Sequence, residues 1–307
     1  PVTNISWFSA KAYCESKDKR LPTVDEWEYV AMADKSLADA RSKKSYNQYI
    51  LSWYETAKTY DNEIGKTFKN YWGVYDFREK VDDADFTDYY YDQPGDEIEF
   101  IKTWGGTWAE YGDPTMTEWN DLVDYITTND MSVPANYEYA SERYNIGSLI
   151  DYIVLNSYVV ASDWLNWNTA WWKGNNPDGD KKKWRYALWD MDATFGHYIN
   201  YTGVESTDPD ADPCNPESLV GGSDPQGHIQ ILQSLRANED FDYYYITRYI
   251  DLINGPLSCE SMIAVLDSMT GVIAPEMPQQ IARWGGTVAE WEDNVQAMRD
   301  YINIRCV

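Results

Sequence analysis

Apolar and polar positions follow two periods along this chain, and the helical one dominates its second half. Apolar residues recur every three to four positions in Thr117–Thr127, Ile150–Val160, Ile229–Leu235, Phe241–Ile253, Ser258–Met269 and Ala289–Ile304, which predicts helices there. Polar and aromatic residues alternate from Tyr71 to Phe77 and from Glu97 to Lys102, the two-residue period of strands. A further strand is predicted from Lys183 to Leu188, carrying Asp190 at its tip. Near the start, Ser6 is placed to cap a helix through Trp7, Ala10, Lys11, Tyr13 and Cys14, which Arg20-Leu21-Pro22 ends. Thr23-Val24-Asp25-Glu26 has the spacing of a capping box for a second helix, with Trp27, Val30 and Ala31 on one face. The Gly- and Pro-rich stretch Thr202–Gly227 reads as a long loop. The fold class is therefore α+β, a short sheet followed by a predominantly helical lobe.

One heptapeptide returns almost unchanged. Trp104-Gly105-Gly106-Thr107-Trp108-Ala109-Glu110 reappears as Trp284-Gly285-Gly286-Thr287-Val288-Ala289-Glu290, too far apart for a solenoid repeat. Both copies read as a turn leading into a helix with a Thr cap. Their tryptophans fit packing better than a sugar-binding role.

Charge divides the chain. Residues 1–70 hold 11 Lys+Arg against 10 Asp+Glu, whereas residues 71–307 hold 14 against 41, giving the whole a net charge of −26. Asymmetry of this kind marks separate modules. An aromatic content of 16%, with 15 Trp and 26 Tyr, argues for a packed core and against disorder. The acidity excludes nucleic acid as a partner, since Lys181-Lys182-Lys183 is the only short basic run. No apolar run approaches the roughly 18 residues of a membrane span, and Pro1-Val2-Thr3-Asn4 does not open a signal peptide; the chain reads as starting inside a domain. Cys14, Cys214, Cys259 and Cys306 lack metal-ligand spacing. Cys259 and Cys306 flank a helical run that a disulfide would close, with free buried thiols the equal alternative.

The candidate chemistry lies in two short segments. Asp163 and Asn168 stand five residues apart in Ser162-Asp163-Trp164-Leu165-Asn166-Trp167-Asn168, and Trp189-Asp190-Met191-Asp192-Ala193-Thr194-Phe195-Gly196 follows after an intervening strand. An Asp and an Asn at this spacing are, taken alone, most often turn or cap residues. The order base-like Asp, amide at plus five, then an Asp ending in Phe-Gly resembles the arrangement by which protein kinases hold a substrate hydroxyl and magnesium. In that arrangement Asp163 is the catalytic carboxylate that accepts or orients the hydroxyl proton. Asn168 offers a hard amide oxygen to the metal, and Asp190 takes the place of the metal-binding Asp, with Asp192 a second candidate. Asn166 is placed to cap or brace the loop. His197 reads equally as a loop residue or a proton donor. Asp208, Asp210 and Asp212 alternate as in metal loops but lack their Gly and terminal Glu, so solvated acid is the expectation.

Two families are resembled. Pro1-Val2-Thr3-Asn4-Ile5-Ser6-Trp7, Ala12-Tyr13-Cys14 and Arg20-Leu21-Pro22-Thr23-x-x-Glu26-Trp27-Glu28-Tyr29 closely resemble the formylglycine-generating enzyme (sulfatase-modifying factor) family over about residues 1–70. That resemblance implies a partial helical fragment with Cys14 as a packed thiol; it implies no sulfatase-activating activity, because nothing later supplies that family's reactive cysteines. From Tyr71 onward, Tyr71-Trp72-Gly73-Val74-Tyr75-Asp76-Phe77-Arg78-Glu79-Lys80-Val81, Ile150–Ser157, the Asp163–Asn168 loop and Trp189-Asp190-x-Asp192-x-x-Phe195-Gly196 resemble the CotH (spore coat protein H) kinase family, over about residues 71–307. The two resemblances meet in Tyr71–Asp76, which predicts a truncated or chimeric chain.

The second resemblance implies a protein-kinase-like C-lobe lacking most of its N-lobe, and a secreted or surface-exposed bacterial protein. It implies ATP with Mg2+ or Mn2+ as cofactors, and transfer of the γ-phosphoryl group to a Ser/Thr-type hydroxyl of a protein substrate. Its retained position favours Asp190 over Asp192 for the metal. Glu79 is the candidate acidic partner of the nucleotide-contacting lysine, or else a strand-end charge. The lysine itself has no clear counterpart, Lys66 and Lys69 lying in the wrong context. Two readings stay open: a kinase, active or silenced by loss of the N-lobe, and a non-catalytic surface module binding glycan, calcium or a partner protein.

Overall fold

The computed structural model of the protein describes residues 55–57, 68–70, 74, 84–197, 200, 206–211 and 224–306. The helices expected near Ser6 and Thr23, Cys14, Glu79, Lys66, Asp212, Cys214 and, apart from Val74, the Tyr71–Phe77 strand lie outside these residues. The chain divides into two compact units, residues 81–266 with 296–307, and residues 1–80 with 267–295.

The larger unit is α+β. Helix α1 (Ala84–Tyr91) leads into a hairpin of β3 (Ile98–Trp104) and β4 (Gly106–Tyr111), then α2 (Thr117–Thr128), α3 (Pro134–Arg143) and α4 (Ile146–Tyr158). Strands β5 (Thr169–Gly174) and β6 (Arg185–Ala187) complete an antiparallel sheet of order β4-β3-β5-β6. Helices α5 (His228–Leu235) and α6 (Glu239–Asn254) follow, together with the first part of α7 (Cys259–Ile273) and the end of α9 (Val288–Arg305). In the smaller unit β1 (Glu55–Ala57) pairs antiparallel with β2 (Phe68–Asn70), and a 3-10 turn at Ala274–Glu276 leads into α8 (Met277–Trp284).

Alternation sorts the sheet's side chains onto two faces. Ile101 and Trp171 join the main core with Trp119, Leu122 and Ile126 of α2, whose spacing gives that helix one buried stripe. Ile98, Phe100, Ala170, Trp172 and Ala187 form a second cluster, roofed by Phe86 and Tyr91 of α1. Helix α4 is buried nearly all round, through Leu149, Ile150, Tyr152, Ile153 and Val154, and so forms the axis of the lobe. It starts before the predicted Ile150 because Asn145 caps it, Oδ1 accepting from Ser148 N–H at 3.1 Å. Asn238 caps α6 in the same way, through Asp240 N–H and Phe241 N–H.

The two copies of the repeated heptapeptide fold differently, which corrects one expectation. At the second copy, Thr287 Oγ1 accepts from Glu290 N–H at 3.1 Å and donates to Glu290 Oε2 at 3.0 Å, capping α9 as predicted. At the first copy, Gly105 takes φ +71 and the chain turns back as strand β4, with Thr107 Oγ1 2.9 Å from Thr103 Oγ1. A strand edge is available to pair there, and Thr, Trp and Tyr at 107, 108 and 111 suit it better than a helix.

Cys259 and Cys306 form a disulfide within the larger unit, with Cα atoms 5.5 Å apart. Beside it, the buried Arg305 in the last turn of α9 donates from Nε to Tyr158 C=O at 2.6 Å and from Nη2 to Ser157 C=O at 2.8 Å. Its Nη1 donates to the carbonyls of Pro209 and Ala211. A cation at the exposed carbonyls of a helix C-terminus is favoured by the helix dipole. The end of the chain thereby holds the end of α4, where the acidic loop begins.

Candidate active site

Two loops meet at one end of the sheet. The first, residues 159–168, connects α4 to β5; the second, residues 188–196, follows β6. The backbone joins them, with Ser162 N–H donating to Ala193 C=O at 2.9 Å and Phe195 N–H to Val159 C=O at 2.9 Å. Trp164 and Leu165 are sunk in the main core and hold the first loop from below. Asn166 braces it on the hairpin side, its backbone carbonyl accepting from Gly105 N–H at 2.7 Å. The second loop is held by Phe195, whose ring meets Tyr301 edge to face at 5.9 Å, and by the tight turn at Gly196, φ +67.

Asp163 and Asn168 come together as the spacing predicted. Asn168 Nδ2 donates to Asp163 Oδ2 at 2.7 Å. Asp163 Oδ1 and Asn168 Oδ1 stay buried with no hydrogen-bond partner among the described residues. Burial raises the Asp163 pKa, and the charges of Asp192 and Asp190 raise it further, while the Asn168 bond opposes them. The exposed Asp190 and Asp192 on the second loop are thus close enough to act on Asp163 electrostatically.

Backbone strain concentrates here. Val160, Leu165 and Asn168 on the first loop take φ of 52, 67 and 46, and Asp190 and Phe195 on the second take 49 and 55. Such left-handed residues cost about 1–3 kcal/mol each and persist where the surroundings fix them.

The remaining candidates are placed as follows. His197 is exposed, its backbone N–H bonded to Thr194 C=O at 3.0 Å, a loop residue in this structure. Asp208 and Asp210 are exposed to solvent. Lys69 lies in β2, in the smaller unit, and Glu79 is outside the described residues.

Lys102 was not foreseen. It lies buried on β3, its Nζ 4.3 Å from the centroid of the Trp189 ring and 5.5 Å from that of Trp108. In register it pairs with Ala170, two residues from Asn168, and Trp189 adjoins Asp190. Its signal was faint: a cation among the apolar alternate positions Ile98, Phe100 and Trp104.

Whether these residues fit a divalent cation turns on their free oxygens. Two buried, unpartnered oxygens beside further carboxylates are hard donors of the kind Mg2+ takes, and repulsion among the acids is the charge a cation relieves. Among the described residues, no three His, Cys, Asp or Glu side chains are set as a ready-made metal cage. Mg2+ in nucleotide sites takes one or two carboxylates and completes its shell from phosphates and water, so the residues fit that use.

The CotH kinase protein family matches this chain over residues 42–306. The chain belongs to the CotH kinase family. A stretch of 31 residues is 55% identical to inactive C-alpha-formylglycine-generating enzyme 2 of Bos taurus, covering 10% of this chain and 10% of that protein. No solved structure matches. Membership makes this a CotH-type, kinase-like protein. Among the described residues, no single helix is long and apolar enough to cross a membrane.

Proposed function

We propose that this CotH-family protein transfers the γ-phosphoryl group of ATP to a Ser/Thr-type hydroxyl of a secreted or surface protein. One observation carries the reading: the Asn168–Asp163 hydrogen bond, which leaves an oxygen of each residue buried and unpartnered beside Asp190 and Asp192. Bound Mg-ATP or Mn-ATP supplies the phosphoryl group and the cation. Asp163 orients the substrate hydroxyl and takes its proton; its raised pKa makes it a better proton acceptor than an ordinary carboxylate. Asn168 and Asp190 hold the cation through oxygen, with Asp192 adding negative charge nearby. Lys102, between its two tryptophans, is the cation we assign to the nucleotide phosphates.

We read residues 1–70 as the formylglycine-type fragment and 71–307 as the kinase-like domain without most of its N-lobe. A bacterial cell surface or extracellular setting goes with this reading, and the Cys259–Cys306 disulfide supports an oxidising compartment. A second reading, a non-catalytic binding module, is favoured by the exposed Trp104 and Trp108 of the β3–β4 hairpin.

Turnover and binding separate the two. The purified protein is assayed for ATP consumption with Mg2+ or Mn2+, and for nucleotide binding by calorimetry, beside Asp163→Asn, Asp190→Asn and Lys102→Met. The reading expects Asp190→Asn and Asp163→Asn to lose at least about 100-fold in turnover, the scale of losing a group that stabilises developing charge. It expects Lys102→Met to weaken nucleotide binding. Binding of calcium or glycan with no affinity for Mg-ATP sinks the kinase reading.

A further inference from the structure

The acidic loop is held from inside the protein by one buried hydroxyl. Thr169, the first residue of β5, is fully buried, and its Oγ1 accepts from Leu165 N–H at 2.9 Å. The same oxygen donates to Trp167 C=O at 3.1 Å, which commits its single hydrogen. Tyr152 OH, 3.1 Å away, is then the donor to Thr169 rather than the acceptor. The hydroxyl's hydrogen and both its lone pairs are therefore in use, and two of its three bonds go to the backbone between Asp163 and Asn168.

Behind Thr169 stands a rigid column. The Tyr152 ring is stacked on Tyr186 at 4.2 Å with 8° between planes. Tyr186 OH accepts from Tyr144 OH at 2.7 Å and is hydrogen-bonded to His228 Nδ1 at 2.7 Å. Tyr186 N–H is also bonded to Ser148 Oγ on α4 at 2.9 Å. The Tyr152 hydroxyl is thus fixed by a stack that is itself hydrogen-bonded. The segment it controls contains two left-handed residues, Leu165 and Asn168, at φ 67 and 46. Without the Thr169 bonds to Leu165 N–H and Trp167 C=O, these residues would relax toward ordinary backbone, and Asn168 would swing away from Asp163.

We propose that Thr169, anchored by Tyr152, is the positioning residue that sets Asn168 against Asp163 in the active loop. The inference rests on the phosphoryl-transfer reading for its catalytic meaning, but the positioning itself is a property of the fold.

The test uses the full protein with Thr169→Val, which keeps the shape and removes the hydroxyl, Thr169→Ser, which restores it, and Tyr152→Phe, which keeps the stack and removes the donor. Two readouts are taken: kcat and KM for ATP, and the NMR signals of the Asn168 side-chain amide, which its hydrogen bond to Asp163 shifts and protects from exchange. Thr169→Val is expected to lower kcat about 10- to 100-fold, the cost of a small misplacement of reacting groups, with KM nearly unchanged. It is expected to move the Asn168 amide signals toward those of a free side chain and to speed their exchange with water. Thr169→Ser should stay near wild type in both, and Tyr152→Phe should fall between. If Thr169→Val fails to fold, Tyr152→Phe against wild type carries the same two readouts. Lower thermal stability with wild-type kcat and unmoved Asn168 amide signals overturns the proposal, because it is the mark of a packing role alone. An inactive wild type whose Asn168 amide signals still move in Thr169→Val refutes the phosphoryl-transfer reading and upholds the positioning.

Discussion

Replacing Arg305 tests how the last turn of the chain holds the start of the active loop. Its guanidinium is buried and donates to four carbonyls, those of Ser157 and Tyr158 at the end of α4 and those of Pro209 and Ala211. Hydrogen bonds to a charged group contribute about 1.5–3 kcal/mol each in isolation. They are not additive here, since Arg305→Met also removes the cost of burying the charge. Each buried carbonyl left without its donor costs about 1–3 kcal/mol, and with the desolvation of the charge relieved a net loss of about 3–5 kcal/mol is expected, a Tm drop of roughly 5–15 °C for a protein of this size. Arg305→Lys keeps the charge but cannot reproduce the planar fork, and should cost about 1–3 kcal/mol. Urea unfolding followed by both circular dichroism and tryptophan fluorescence gives the two values. An Arg305→Met protein within about 0.5 kcal/mol of wild type refutes the reasoning, since the desolvation cost of the charge would then cancel its bonds.

Three further outcomes follow from particular residues. Gly196→Ala should destabilise the protein by about 2 kcal/mol or more in the same unfolding assay, because φ is +67 and an added Cβ would meet Tyr301 at 3.0 Å and Thr207 C=O at 3.2 Å. Asp163 has a folded-state pKa above its unfolded one, so the fold binds the extra proton and stability falls as pH rises from about 3.8 through the raised value. Asp163→Asn should therefore be more stable than wild type at pH 7, by about 1 kcal/mol, a gain that water around the partly exposed carboxyl keeps small. That advantage should vanish below the ordinary carboxylate range, which thermal melts across pH 3 to 8 will show. The Cys259→Ser/Cys306→Ser pair opens a loop with 47 residues of sequence separation, worth about 4 kcal/mol on the chain-entropy account, and non-reducing against reducing urea melts of wild type should show the same difference.

Much of the helical lobe was legible where a helix buries one stripe, as α2 and α6 do. Trp119, Leu122 and Ile126 mark α2 by period alone, and the boundaries of α5, α6 and α9 fall within two residues of the pattern. Strand β5 was not legible: Thr169-Ala170-Trp171-Trp172-Lys173-Gly174 is buried on both faces and shows no alternation. Strand β4 differs from its expected helix because its first residues are nearly those that open α9, and pairing with β3 rather than the local residues decides between the two forms. In the site, the meeting of Asp163 with Asn168 could be read from a spacing of five residues along one loop. The Thr169–Tyr152 anchor could not, because it joins a strand to a helix across the interior. Lys102 was hidden by its apolar neighbours, whose alternation reads as core.

The left-handed backbone at Asn168 and Asp190 narrows what can replace them. Asn and Asp tolerate that conformation better than other side-chain-bearing residues, so the same amino acids serve the geometry and the proposed chemistry. An alanine scan at these positions would confound a lost ligand with a distorted turn. Exchange between Asp and Asn keeps the turn and changes only charge, which makes it the cleaner probe of function at both sites.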